Sequence, residues 1–111
     1  MNELILKLAQ KDGISDILIQ SGLPIAVRIN GSIEKLDNQI VKKELVNKLI
    51  KERLDTVQYK KFNEEGSFDC GFSLKGKRFR ANFFKSLNGS NIALRVIDET
   101  VREFSDINFP P

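Results

Sequence analysis

Arg78, Arg80 and Asn82 occupy every second position of Lys77-Arg78-Phe79-Arg80-Ala81-Asn82-Phe83, and Arg95 sits the same way within Leu94-Arg95-Val96-Ile97. Alternation with Phe79, Ala81 and Phe83 is the period of a half-buried strand, so the polar set shares one face. Guanidinium forks on one face suit an anion of phosphate geometry. Two arginines side by side repel unless an anion or a carboxylate sits between them. The plainer reading is a solvated face, with both arginines in water or paired with Asp69. The sequence holds no histidine and one cysteine, Cys70. This excludes His-based acid–base chemistry and His-ligated metal sites, and a zinc site is not expected. No paired-carboxylate site, nucleophile elbow or metal cluster is legible. No catalytic residue and no metal ligand is therefore assigned, and the chain reads as a binding or regulatory module.

One motif is a decoy. Gly71-Phe72-Ser73-Leu74-Lys75-Gly76-Lys77 matches the first seven positions of the phosphate-binding loop, but Arg78 stands where a Ser or Thr hydroxyl is needed for Mg²⁺. Both flanks alternate like the strands of a hairpin, whereas that loop needs a helix after it. Asn30-Gly31-Ser32 and Asn88-Gly89-Ser90 fit the glycosylation pattern but read as turns.

The elements that must position the arginines follow from periodicity. Leu4, Ile5, Leu8 and Ala9 predict a helix over 2–12, stopped at Gly13. Short strands are expected at 17–19, 25–29 and 33–36, with turns at Ser21–Pro24 and Asn30-Gly31. A three-residue loop at 30–32 would set Ile29 opposite Ile33 and Arg28 opposite Glu34. Val46, Ile50, Leu54 and Val57 form the core stripe of a helix over 42–54 and its continuation. Asp55 or Thr56 caps a second helix running to Asn63, which Gly66 ends. The last third is a meander. Pairing Leu74 with Lys77 sets Phe72 opposite Phe79, Cys70 opposite Ala81 and Phe68 opposite Phe83. A turn at Asn88-Gly89 would set Phe83 opposite Leu94, Asn82 opposite Arg95 and Ile97 opposite Arg80, making Arg80 and Arg95 diagonal neighbours. One face of this sheet is buried under helices, giving an α+β fold.

The 111 residues suit one domain, and 41% hydrophobic with 30% charged residues is an ordinary globular composition. No apolar run approaches the ~20 residues of a spanning helix, and no secretory signal is visible, so a cytosolic home is expected. The net charge of +3 is unevenly spread: seven basic and three acidic residues over 42–61, five basic and no acidic over 75–85, four acidic and one basic over 98–106. Local positive field points to an anionic partner.

These residues carry a resemblance. Ile14-Ser15-Asp16-Ile17-Leu18-Ile19, Gly22-Leu23-Pro24, Arg28-Ile29-Asn30-Gly31, Phe68-Asp69, Arg78-Phe79-Arg80-Ala81-Asn82, Leu94-Arg95-Val96-Ile97 and Ile107-Asn108-Phe109-Pro110 resemble, in order and spacing, the opening of the type IV pilus retraction ATPases of the PilT type. The resemblance implies a PAS-like α+β domain at 1–97, an antiparallel sheet with helices packed on one face. It implies that 98–111 begin a linker to a RecA-like ATPase domain absent from this chain, which would then be the N-terminal part of a longer protein. It further implies a cytoplasmic homo-hexamer, peripheral to the inner membrane through the pilus machinery. ATP and Mg would be held by the motor domain and not by this one. Two family arginines that reach the nucleotide map onto Arg80 and Arg95, with Asn82 and Arg78 as possible support. The chain departs from the pattern at Leu18, where the family usually has His, and at 97–102, where two prolines are absent.

Two other readings are open to the sequence. A stand-alone PAS-like sensor would need a ligand cavity. A single-stranded nucleic-acid binder would use the basic strand 77–85, but Phe79 and Phe83 are expected in the core and only Phe84 outside.

Overall fold

The computed structural model describes residues 2–97; the expected linker at 98–111 lies outside them. The elements run α1 (Asn2–Ala9), β1 (Ile14–Gln20), β2 (Pro24–Ile29), β3 (Ser32–Ile40), α2 (Lys43–Arg53), α3 (Thr56–Glu65), β4 (Ser67–Leu74), β5 (Lys77–Ser86) and β6 (Gly89–Ile97). All six strands form one antiparallel sheet in the order β3-β2-β1-β6-β5-β4. The helices cover one face: α1 on β1, α2 over β6 and β1, α3 against β4. Phe62 of α3, Phe79 and Phe83 of β5, Ile17 and Ile19 of β1, and Val46 and Ile50 of α2 fill the space between.

Local chemistry explains the element ends. Asp55 Oδ1 accepts from the Gln58 backbone N–H at 2.8 Å and Gln58 Oε1 accepts from the Asp55 N–H at 3.0 Å, a reciprocal cap on α3. Gly66 closes that helix in the left-handed region at φ 83°. The hairpin of β4 and β5 has the register read from sequence, Phe72 on Phe79, Cys70 on Ala81, Phe68 on Phe83. The 71–78 stretch is thus two strands around the Lys75-Gly76 turn, not a phosphate-binding loop leading into a helix.

Two registers differ from expectation. Asn30 and Gly31 both take positive φ, 51° and 85°, the signature of a two-residue type I′ turn. Arg28 therefore faces Ile33 and not Glu34, and Ile29 faces Ser32. The β5–β6 turn is Leu87-Asn88, with Ser86 on Gly89. Phe83 faces Ile92, Ala81 faces Leu94 and Phe79 faces Val96, two residues from the expected pairing. A slip of two keeps every side chain on its face, so alternation alone does not separate the two registers. Packing does: the expected register would set the core residue Phe79 opposite Asp98. The register also satisfies Asn91, 2% exposed. Its Oδ1 accepts from the Ser21 N–H at 3.0 Å, and its Nδ2 donates to Ser86 Oγ at 3.0 Å and to the Gly89 carbonyl at 3.3 Å.

Phe83 is 1% exposed at the centre of this core, while Leu87, in the turn, is fully exposed. Phe83→Ala is expected to cost about 3–5 kcal/mol, and Leu87→Ala less than about 0.5 kcal/mol. Denaturant midpoints at unchanged slope measure both.

Candidate anion-binding face

The face of the sheet away from the helices is ordered by strand pairing into rows. One row crosses five strands as Arg28, Asp16, Arg95, Arg80 and Gly71, each the direct partner of the next. The adjoining row reads Ala26, Leu18, Ala93, Asn82 and Asp69. Arg80 and Arg95 are thus directly opposed, closer than the diagonal placement expected from sequence. Directly opposed like charges on neighbouring strands cost roughly 0.2–1 kcal/mol.

Counter-charges are distributed unequally. The Asp16 carboxylate lies 3.4 Å from Arg95 Nε by Oδ1 and 3.5 Å from Arg28 Nε by Oδ2, and Ser15 Oγ donates to the same Oδ2 at 2.8 Å. Asp69 accepts from Asn82 Nδ2 at 2.7 Å. Arg80 has no carboxylate partner among the described residues, and the Arg95 side chain is 72% exposed. A shallow depression of about 250 Å³ opens between them, lined by Asp16, Asp69, Arg80, Asn82 and Arg95 over a floor that includes Ala93. A group entering the depression meets Arg80 and Arg95 together with the carboxylates of Asp16 and Asp69.

The expected support residues fare differently. Asn82 lines the depression but is held by Asp69. Arg78 shares the face yet turns away, donating from Nη1 to Ser73 Oγ at 3.2 Å. A Cβ on Gly71 would come within 3.2 Å of Arg78 Nη2, so glycine makes room for that course. Leu18 sits on the same face between Ala26 and Ala93, next to the row of charges. Asp16 and Arg28 were not among the expected site residues. Only the pairing of β1 with β6 brings Asp16 to Arg95, and that pairing spans 79 residues of sequence. Cys70 faces the helices, and burial, then the Asp69 charge, pushes its thiol up, with Arg53 opposing; it takes no part in this face.

The arrangement sets two guanidinium groups and two carboxylates around one open depression. Phe79 and Phe83, at 0% and 1% exposure, are not free to stack on bases. The space between helices and sheet is filled by Phe62, Phe79 and Phe83 and by aliphatic side chains such as Ile17, Ile19, Val46 and Ile50.

No family model matches the chain. The type IV pilus retraction ATPase PilT of Pseudomonas aeruginosa is 28% identical over 104 residues, covering 93% of this chain and 30% of that protein. The type IV pilus ATPase PilU of the same organism is 23% identical over 111 residues, covering 97% and 28%. Among solved structures, the pilus retraction motor PilT with bound ADP superposes with a TM-score of 0.77 at 32% identity, over 88% of this chain and 29% of that one. The Legionella pneumophila ATPase DotB, at TM-score 0.72 and 21% identity over 95% of this chain, shares the fold. The chain therefore spans about a third of the length of these relatives. In sequence and in fold it matches the N-terminal domain of PilT-type ATPases.

The direct opposition of the two arginines has a simple check. Arg80→Cys with Arg95→Cys is expected to cross-link under mild oxidation, since paired strand positions fall within disulfide reach. Arg80→Cys with Ile97→Cys, the pairing of the displaced register, is expected to stay reduced. Non-reducing mass analysis separates the two.

Proposed function

We propose that this chain is the non-catalytic N-terminal domain of a hexameric, ATP-driven motor that retracts type IV pili from the cytoplasmic side of the inner membrane. Its task is to present Arg80 and Arg95 to the phosphates of a nucleotide held by a RecA-like ATPase domain, of the same protein or of a neighbouring subunit. The observation that carries this reading is Arg80, with no carboxylate partner among the described residues, directly beside the exposed Arg95 on a face that no described element covers. The sequence similarity to PilT, whose solved structure holds ADP, supports it.

In this reading ATP and Mg²⁺ belong to the motor domain, where hydrolysis takes place. This chain's residues do two things. They place planar donors at developing phosphate charge, and they couple nucleotide state to the position of a rigid sheet. Two guanidinium groups whose repulsion is relieved by an incoming phosphate bind it more strongly than one. The domain is held by a core on the opposite face, so contact with nucleotide leaves its fold unchanged. No helix among the described residues is long and apolar enough to cross a membrane; in this reading, attachment to the inner membrane runs through the pilus machinery.

The test is ATP turnover by the longer protein. Arg80→Ala and Arg95→Ala are each expected to lower kcat on the order of 10³-fold, as for arginines that stabilise phosphoryl transfer. Melting temperature should change little, since both side chains leave the core untouched. Lysine at either position restores only part of the rate, because it lacks the planar fork. Normal turnover in both alanine variants would return the face to a solvated surface. Unfolding would instead refute the placement of the arginines outside the core.

A further inference from the structure

We infer that Asp16 is a positioning residue: it holds Arg95 by Nε between β1 and β6, with Arg28 as counter-anchor, so that the terminal Nη groups of Arg95 are presented to a phosphate. This rests on the anion-binding reading of the face and goes beyond it by assigning a residue outside the arginine pair. Three donors converge on this one carboxylate: Ser15 Oγ, Arg28 Nε and Arg95 Nε. Its side chain is 19% exposed against 72% for Arg95, so the fixed partner is the acid and the adjustable one is the arginine. Asp16 meets Arg95 at Nε, the inner nitrogen. The Nη groups have no partner among the described residues, and they are the half of the fork that a phosphate takes.

The row also shows why an acid belongs here. Arg28, Arg95 and Arg80 carry three positive charges in line against the single charge of Asp16. Repulsion from the directly opposed Arg80 pushes Arg95 toward β1, where without Asp16 its side chain would have no fixed position. Asp16 offsets that repulsion on the side away from Arg80. Ser15 and Arg28 occupy its other oxygen, so it stays anchored when Arg95 shifts to engage a ligand.

Positioning and plain electrostatics predict opposite signs. Asp16→Asn removes a negative charge from an anion site. If charge alone mattered, nucleotide binding and turnover would improve. If Asp16 aims Arg95, turnover falls despite the added positive charge, roughly 10- to 100-fold in kcat with KM moved much less. The longer ATPase is compared as wild type, Asp16→Asn, Arg95→Ala and the double variant, with Lys60→Ala on the exposed face of α3 as control. The expected result is that the double variant is no slower than Arg95→Ala, since Asp16 acts through Arg95. Asp16→Glu is expected to recover part of the loss. In parallel, ¹⁵N relaxation of the Arg95 Nε–H in the 111-residue chain should report a restrained group in wild type and a mobile one in Asp16→Asn. Equal or faster turnover in Asp16→Asn, while Arg95→Ala is slow, overturns the positioning role alone. An unimpaired Arg95→Ala overturns the anion-site reading itself, and an unchanged Nε–H signal shows that Asp16 does not hold Arg95.

Discussion

Everything on the outer face depends on one pairing, the antiparallel contact of β1 with β6 at the centre of the sheet. On its inner side Ile17 packs with Leu94 and Ile19 with Ile92, all buried beneath the helices. On its outer side the same register sets Asp16 against Arg95 and Leu18 against Ala93. Two branched apolar pairs removed from water contribute several kcal/mol, by the usual ~1.5–3 kcal/mol per buried side chain. The exposed ion pair contributes at most about 1 kcal/mol. The core thus dictates where the charges sit, and the charges do not hold the fold. The Ser21–Asn91 bond at the end of the pairing keeps the register from slipping, because any slip would leave a buried amide without partners.

This division explains how the face can tolerate what would be a fault elsewhere. Opposed arginines are unfavourable in isolation, and sheets normally place opposite charges across from each other. Here the cost is small against a core that includes three fully buried phenylalanines, Phe62, Phe79 and Phe83. A local conflict kept on a stable scaffold marks a place where the sequence answers to something besides folding. Arg78 marks the contrast: one position further along the same strand face, it is satisfied by Ser73 and has no such conflict.

Much of this was legible in sequence where the signal is local. The caps at Asp55 and Gly66, the Lys75-Gly76 hairpin and the inward set Phe68, Cys70, Phe72 follow from turn chemistry and period-two alternation. The grouping of Arg80 with Arg95 survived a wrong turn at Asn88-Gly89, because a two-residue slip preserves faces. Their true distance did not survive it. Matching Phe79 against Asp98 in the displaced register was the available warning. The Asn30-Gly31 loop failed differently: counting Ser32 into it flipped the partners of Arg28. Asp16 was illegible because its partner lies far along the chain, and alternation within a strand says nothing about which strand lies beside it.

The most direct test of the outer face as an anion site is a titration of the ¹⁵N-labelled 111-residue chain with inorganic triphosphate at low salt. Half of the proposed nucleotide site is missing, so affinity of about millimolar strength is expected. The account predicts that shifts concentrate on Arg80, Arg95 and Asp16 and on their neighbours across β1, β5 and β6. Shifts spread instead over the lysines of α2 and α3, with the arginine row silent, would contradict it, for the binding would then follow general charge and not the paired guanidinium groups.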